Sequence, residues 1–267
     1  MNPAWPQLFT PPEFGFQFGL KPGSGPDFFG ASAERERLLS EREKWLHQAP
    51  TLYAADTEAS AALLAESVAL LKQWKAIDDD MDIQSCEQLG RILEPDFILL
   101  QTDAELGAVL RGGSVCFPSS WRLTDKIGLG IGAIHEPVPG LNAQLGPMIS
   151  RYLQGMKPGI VRLRSNWGMS RVPDLNQHPV RELPQLDATV QAHEIFVRIE
   201  NQALLALPES GGLLFGIRLE VIPLTEVISF PKAAAGLRQQ LLTMPLEVAR
   251  YKQLEHCREL IAAWLKD

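Results

Sequence analysis

The sequence predicts an α+β fold, with a mainly antiparallel sheet and helices on its face and at both chain ends. Two patterns carry this expectation. Charged stretches with helical periodicity fill the early part and the C-terminal end, and the middle alternates short apolar runs with Gly and Pro. A third observation removes the main competitor: no GxGxxG joins a strand to a helix, so a dinucleotide-binding Rossmann unit is not expected. Gly128-Leu129-Gly130-Ile131-Gly132 precedes an expected strand and reads as a bend.

The elements follow in order. Residues 1–30 are rich in Pro, Gly and Phe and read as an irregular strap anchored by phenylalanines, with Pro11-Pro12 and Pro22-Gly23 breaking any helix. A helix is expected over 33–47 and a second over 57–75, capped by Asp56 or Thr57, with Leu64, Val68 and Leu71 facing the core. The acidic run 78–80 lacks a coordinating loop pattern and reads as a solvated turn. Strands are expected at 97–100, 114–117 and 131–135, the last closed by Pro137 and Pro139. A helix carrying Leu145, Met148, Ile149, Tyr152 and Met156 stops at 157–159. Strands at 160–164, 195–200 and 213–221 flank a long loop at 168–192, and helices at 233–243 and 246–266 close the chain. The expected organisation is an N-terminal strap and helices, 1–96, packing on a core, 97–267, as one structural unit.

Composition excludes several function classes. With 267 residues, 45% hydrophobic and 21% charged, the chain can bury a core without disulfides. A formal charge of -7 with no basic run disfavours nucleic acid and anionic membranes. No apolar run is long enough to span a bilayer, and the N-terminus lacks the basic start and apolar stretch of a secretion signal. Cys86, Cys116 and Cys257 are far apart and form no CxxC, so this chain alone is not expected to hold zinc or an iron–sulfur cluster. So sparse a count suits the cytoplasm, with each thiol a small buried hydrophobe.

Polar chemistry gathers in the second half. His135 leaves an expected strand directly before Glu136-Pro137, and a stiffened imidazole beside apolar strands is what an axial metal ligand needs. A histidine bonded to backbone satisfies the same pattern. Arg162 and Arg164 share one face of their strand, either turned to solvent or set to hold carboxylates such as haem propionates. Arg198 and Glu200 share a face of one strand, as do Arg218 and Glu220 of another. If those strands pair, the four charges gather in a pocket or form cross-strand ion pairs. A carboxylate so placed binds a small ammonium ion or accepts a proton. No Ser–His–Asp or paired-carboxylate hydrolase signature stands out.

These strings resemble the haem-dependent oxidative N-demethylase α-subunit family. The resemblance rests on Phe18-Gly19-Leu20-Lys21-Pro22, Leu89-Gly90-Arg91 with Glu94 and Asp96, Ser114-Val115-Cys116-Phe117-Pro118-Ser119-Ser120-Trp121, and Lys126-Ile127-Gly128. It continues through Ile134-His135-Glu136-Pro137-Val138-Pro139-Gly140, Asn166-Trp167, Arg198-Ile199-Glu200-Asn201-Gln202-Ala203-Leu204 and Leu207-Pro208-Glu209-Ser210. Phe215-Gly216-Ile217-Arg218, Met244-Pro245 and Tyr251-Lys252 complete it, so it spans about 18 to 265. Asn201 stands where the family more often has arginine, and the loop 168–192 looks variable, which leaves the substrate open.

The resemblance implies a PAS-like fold holding b-type haem, and oxidation of a small secondary amine with O₂. The amine becomes an imine that hydrolyses to an aldehyde and a primary amine. Electrons are implied to come from NADPH through flavin and iron–sulfur centres on a partner reductase, which this chain does not carry. On this footing His135 is the expected axial ligand, with His193 in reserve. Arg162, Arg164 and Arg218 are candidates for the propionates, Glu200 for the substrate ammonium and Arg198 for the oxygen side. Trp121 and Trp167 line the pocket or belong to the core. The other class compatible with these residues is a haem-PAS gas or redox sensor or carrier without turnover.

Overall fold

The protein is described by a computed structural model covering residues 5–10 and 13–266. The break expected at Pro11-Pro12 lies outside the described residues. A 3₁₀ turn, Trp5–Phe9, precedes strand β1 (Lys21–Gly23), and helices α1 (Gly25–Phe29), α2 (Arg35–Gln48) and α3 (Pro50–Tyr53). Then come β2 (Ala54–Ala55), α4 (Ser60–Gln73), α5 (Cys86–Ile92) and the hairpin β3 (Asp96–Asp103) and β4 (Gly107–Ser114). Helices α6 (Ile131–His135) and α7 (Leu141–Gln154) lead to β5 (Val161–Ser170), β6 (Phe196–Leu207) and β7 (Gly212–Pro223). Four helices end the chain: α8 (Leu224–Ile228), α9 (Pro231–Thr243), α10 (Leu246–Tyr251) and α11 (Arg258–Trp264).

The strands form one antiparallel sheet in the order β1-β5-β6-β7-β3-β4-β2, so the expected α+β class is what is observed. The first third supplies both outermost strands. β6 is an interior strand, paired along its length with β7 and over most of it with β5. Directly paired residues share a face. One face therefore carries Trp167, Val197, Ile199 and Ile222, packed under the C-terminal helices and the first 3₁₀ turn, and continues as Phe97, Leu99, Ala203 and Leu205 under α4. Gly236 lets α9 approach the Phe9 carbonyl so closely that a Cβ there would lie 1.6 Å from its oxygen. The other face buries Ile98, Leu100, Leu204 and Leu213 against Ile149 and Leu153 of α7. Beyond that apolar patch, the same face turns polar.

A buried ion pair ties the N-terminal helices to the sheet. Arg42 of α2 is fully buried, and its guanidinium donates to Asp96 Oδ1 (2.5 Å), the Gly90 carbonyl (2.6 Å) and Ser114 Oγ (3.2 Å). Asp96 also accepts the backbone N–H of Cys116 (2.7 Å) and Phe117 (2.9 Å). These two bonds turn the chain out of the sheet after Ser114, which is why the strand expected at 114–117 instead ends where it was to begin.

Other expectations need correction. Residues 131–135 are helical, not a strand: Ile131 and Ile134 have i, i+3 spacing and both pack on the α7 side of the core. The glycine-rich stretch thus precedes a helix, although Gly128 does turn with a positive φ of 82°. The second helix starts at Ser60, because Asp56 accepts the Cys86 N–H and the Thr57 hydroxyl donates to the Arg111 carbonyl instead of capping. In α7, Ile149 and Leu153 are buried while Met148 is 43% exposed. The last expected helix is split into α10 and α11, with Gln253 between them at φ 58°. Asp78, Asp79 and Asp80 are exposed, and Lys75 pairs with Asp79. Leu64, Val68 and Leu71 are buried as expected, and so are all three cysteines. Among the described residues no helix is long and apolar enough to cross a membrane.

Arg42→Met removes the counter-ion of a buried carboxylate, so it should destabilise the protein by about 3–5 kcal/mol. Denaturant unfolding measures this, and a loss below about 1 kcal/mol contradicts the role given to the pair.

Candidate functional site

The register of β5 and β6 builds a polar strip on the α7-facing side of the sheet. Arg162 pairs with Leu204, Arg164 with Gln202, Asn166 with Glu200 and Gly168 with Arg198. Arg162, Arg164, Arg198, Glu200 and Gln202 therefore point to one side. The four charges expected to gather from β6 and β7 do not: Arg198 pairs with Val221 and Glu200 with Leu219, which turns Arg218 and Glu220 to the opposite face.

Each strip residue is held differently. Arg162 Nε donates to the Tyr152 hydroxyl of α7 (3.1 Å). Glu200 Oε2 accepts from the Gln202 amide (3.0 Å). Arg198 is 2% exposed and is spent on the loop: its guanidinium donates to the carbonyls of Asp174 (2.7 Å) and Leu175 (2.8 Å), with Ser119 Oγ at 3.4 Å. Burial lowers its pKa to about 10, opposed by the charges of Glu200, Asp174 and Asp96. Arg164 differs. Burial lowers its pKa, only Glu200 opposes the shift, and its buried Nε has no hydrogen-bond partner among the described residues.

His135 reaches this strip from the C-terminal end of α6. Burial pushes its imidazole down to about 4, with the charges of Arg164 and Lys126 adding to the shift. It is neutral at physiological pH and can ligate a metal. Lys252 enters from the other side, at the C-terminal end of α10. Its ammonium donates to the Trp167 carbonyl (2.8 Å) at the part of β5 that β1 leaves unpaired. Burial pushes it down to about 8, with Glu200 opposing. Tyr251 also feels the Glu200 charge. Glu200 thus acts on Arg164, Arg198 and Lys252, Asp174 and Asp96 act on Arg198 as well, and Lys126 adds a cation beside His135. At Arg164 itself, Glu200 is the one opposing charge.

The remaining candidates lie apart. Trp121 is half-buried against the apolar patch beside α7. Trp167 is buried on the opposite face, where its indole N–H donates to Gln240 (3.0 Å) and its ring meets Phe9 edge-on. Arg218 is also on that face, bonded to the Phe28 and Gly30 carbonyls and paired with Glu94 (2.7 Å). His193 is exposed in the 3₁₀ turn Ala192–Glu194. Lys252 was visible in the sequence only as a member of the string Tyr251-Lys252. A lone lysine after a helix carries no periodic signal of a site.

Residues 30–262 match the family model described as haem-dependent oxidative N-demethylase, alpha subunit-like. The chain belongs to this family. A haem-dependent α-subunit-like chain needs a ligand for iron and partners for two propionates, and the strip with His135 has side chains of both kinds. The neutral imidazole of His135 suits the first. The orphaned Arg164 Nε suits the second, because a buried donor without an acceptor is costly and a dianion satisfies it. The residues present therefore fit the group. Among the described residues no cluster of three or more His, Cys, Asp or Glu side chains forms a separate metal site.

The His135 shift has a consequence for stability. Its folded pKa of about 4 lies below the unfolded value near 6.5, so the unfolded chain binds the proton more readily. The stability this group contributes is complete above pH 6.5 and is lost as pH falls towards 4. The cofactor-free chain should lose stability over that window, and His135→Gln should flatten the loss. Parallel unfolding curves for the two proteins across the window contradict the burial of the imidazole.

Proposed function

We propose that this chain binds b-type haem against the polar strip of β5 and β6, beside α6, and oxidises a small secondary amine, using O₂ and electrons from a partner reductase. The observation that carries the reading is the buried Arg164 Nε, without a hydrogen-bond partner among the described residues, beside a neutral His135, with Glu200 the one charge opposing the Arg164 shift. Haem iron supplies oxygen binding and electron-transfer chemistry when bound.

The chain's own residues do the rest. His135 holds the iron from the end of α6, and Arg164, with Arg162 beside it, holds the propionates. Glu200 attracts the substrate ammonium, and its charge also acts on Lys252 and Arg198 beside it. Arg198 acts by position: it fixes Asp174 and Leu175, and with them the loop that closes this side. Apolar residues of α7 and Trp121 keep bulk water from the reacting groups. The imine formed from the amine is hydrolysed to aldehyde and primary amine, which accounts for the demethylation. In this reading the flavin and iron–sulfur carriers belong to the reductase.

The test is reconstitution with haem followed by visible spectroscopy and amine turnover with an artificial reductant. The native chain should give a Soret band of an imidazole-ligated haem, and His135→Ala should change or lose it. Glu200→Gln should keep the band and lose at least tenfold in kcat/KM for the amine, about 1.4 kcal/mol. An unchanged spectrum in His135→Ala refutes the ligand. Reversible gas binding without amine oxidation by the native chain makes the protein a sensor or carrier instead.

A further inference from the structure

β7 has an open edge that lies inside a groove. β6 pairs with it from Gly212 to Pro223, whereas β3 pairs with it only from Gly212 to Ile217. Over 218–223 one edge has no strand beside it among the described residues. Alternate residues of an antiparallel strand turn their N–H and C=O to the same side, so half of these backbone groups point away from β6. Among the described residues no loop or helix backbone group bonds to them.

Such edges attract other strands, and proteins usually blunt them with lysine, proline, a bulge or a covering helix. Here Pro223 closes the open stretch at its end, and no lysine, proline or register shift interrupts 218–222. A groove of about 510 Å³ follows the edge instead, bounded by Leu38 of α2, Phe117 and Leu175. Leu219 and Val221 from one face of β7 and Glu220 from the other all line it, so the groove wraps the strand edge. At the 3.3 Å rise of a strand, 218–223 offers roughly 20 Å of pairing length.

The charges in the groove are unequal. Arg218 is paired with Glu94, and Glu34 with Arg37 at 2.7 Å. Glu220 has hydrogen-bonding help from Asn201 and no ion-pair partner among the described residues. Burial raises its pKa, and the charge of Glu226 adds to that. The groove thus offers unpaired backbone groups, apolar walls and one uncompensated carboxylate.

We propose that this groove receives an extended segment of a partner polypeptide, added as a strand along 218–223, with a basic side chain opposite Glu220. The backbone groups require a strand and not a helix, because only an extended chain presents N–H and C=O at matching intervals. The description of the family as alpha subunit-like supplies the setting, since a subunit has partner chains. The proposal does not depend on the haem reading: the edge lies beyond Arg198 and the loop it holds.

The test uses the full chain and a short capped peptide of alternating valine and threonine with a central lysine. Calorimetry and amide hydrogen exchange read the outcome. The lysine peptide should bind and slow exchange within 218–223, and N-methylation of alternate peptide amides should abolish binding. A central glutamate should weaken binding about tenfold. Glu220→Gln should remove that preference while leaving the unfolding transition and the main-chain binding in place. Absence of binding at millimolar peptide, protection elsewhere, or equal binding of the N-methylated peptide overturns the proposal. Retention of the lysine preference in Glu220→Gln overturns the charge pairing.

Discussion

The site depends on the register of β6 with its two neighbours. That strand is paired without a shift to β5 over ten residue pairs and to β7 over twelve. Side chains alternate across a strand, so a slip of one residue would exchange the two faces. Val197 and Ile199, both fully buried under the C-terminal helices, cannot be exchanged for Arg198 and Glu200. The apolar packing of one face thereby fixes the polar strip on the other. The cost of burying Arg164 is met by the same packing, which lies outside the strip itself.

That register also decides which charges act together. Arg164, Arg198 and Glu200 meet because their pairing partners are Gln202, Val221 and Asn166. Arg218 belongs to a different task, pinning the strap at Phe28 and Gly30 to the sheet through Glu94. The open ends of β5 and β7 are used differently as well. Lys252 engages the first at the Trp167 carbonyl and brings its charge towards Glu200. The second lies in a groove with its backbone groups free.

Much of this was legible in the sequence. Period-two alternation in 195–200 and 213–221 placed Arg198 with Glu200 and Arg218 with Glu220 on shared faces. Their joint location was not legible, because it depends on which residue stands opposite which, and alternation contains no register. The Ile131–His135 segment was misread for a related reason. Two isoleucines at i, i+3 are a helical signal too short to outweigh the prolines that follow. The Arg42–Asp96 pair joins residues far apart in the chain, and Lys252 meets the Trp167 carbonyl from still farther along it. Neither leaves a local trace. The family strings carried the haem expectation, which composition and spacing did not contain.

The proposed account rests on the unpartnered Arg164 Nε beside His135, which a dianionic guest would satisfy. Titrating the cofactor-free chain with iron protoporphyrin and with its dimethyl ester isolates that requirement, since the ester keeps the ring and iron but has no propionate charge. The account predicts that the ester binds at least a hundredfold more weakly, about 2.7 kcal/mol, and that Arg164→Met removes most of the difference. Equal affinity for the two porphyrins would contradict it.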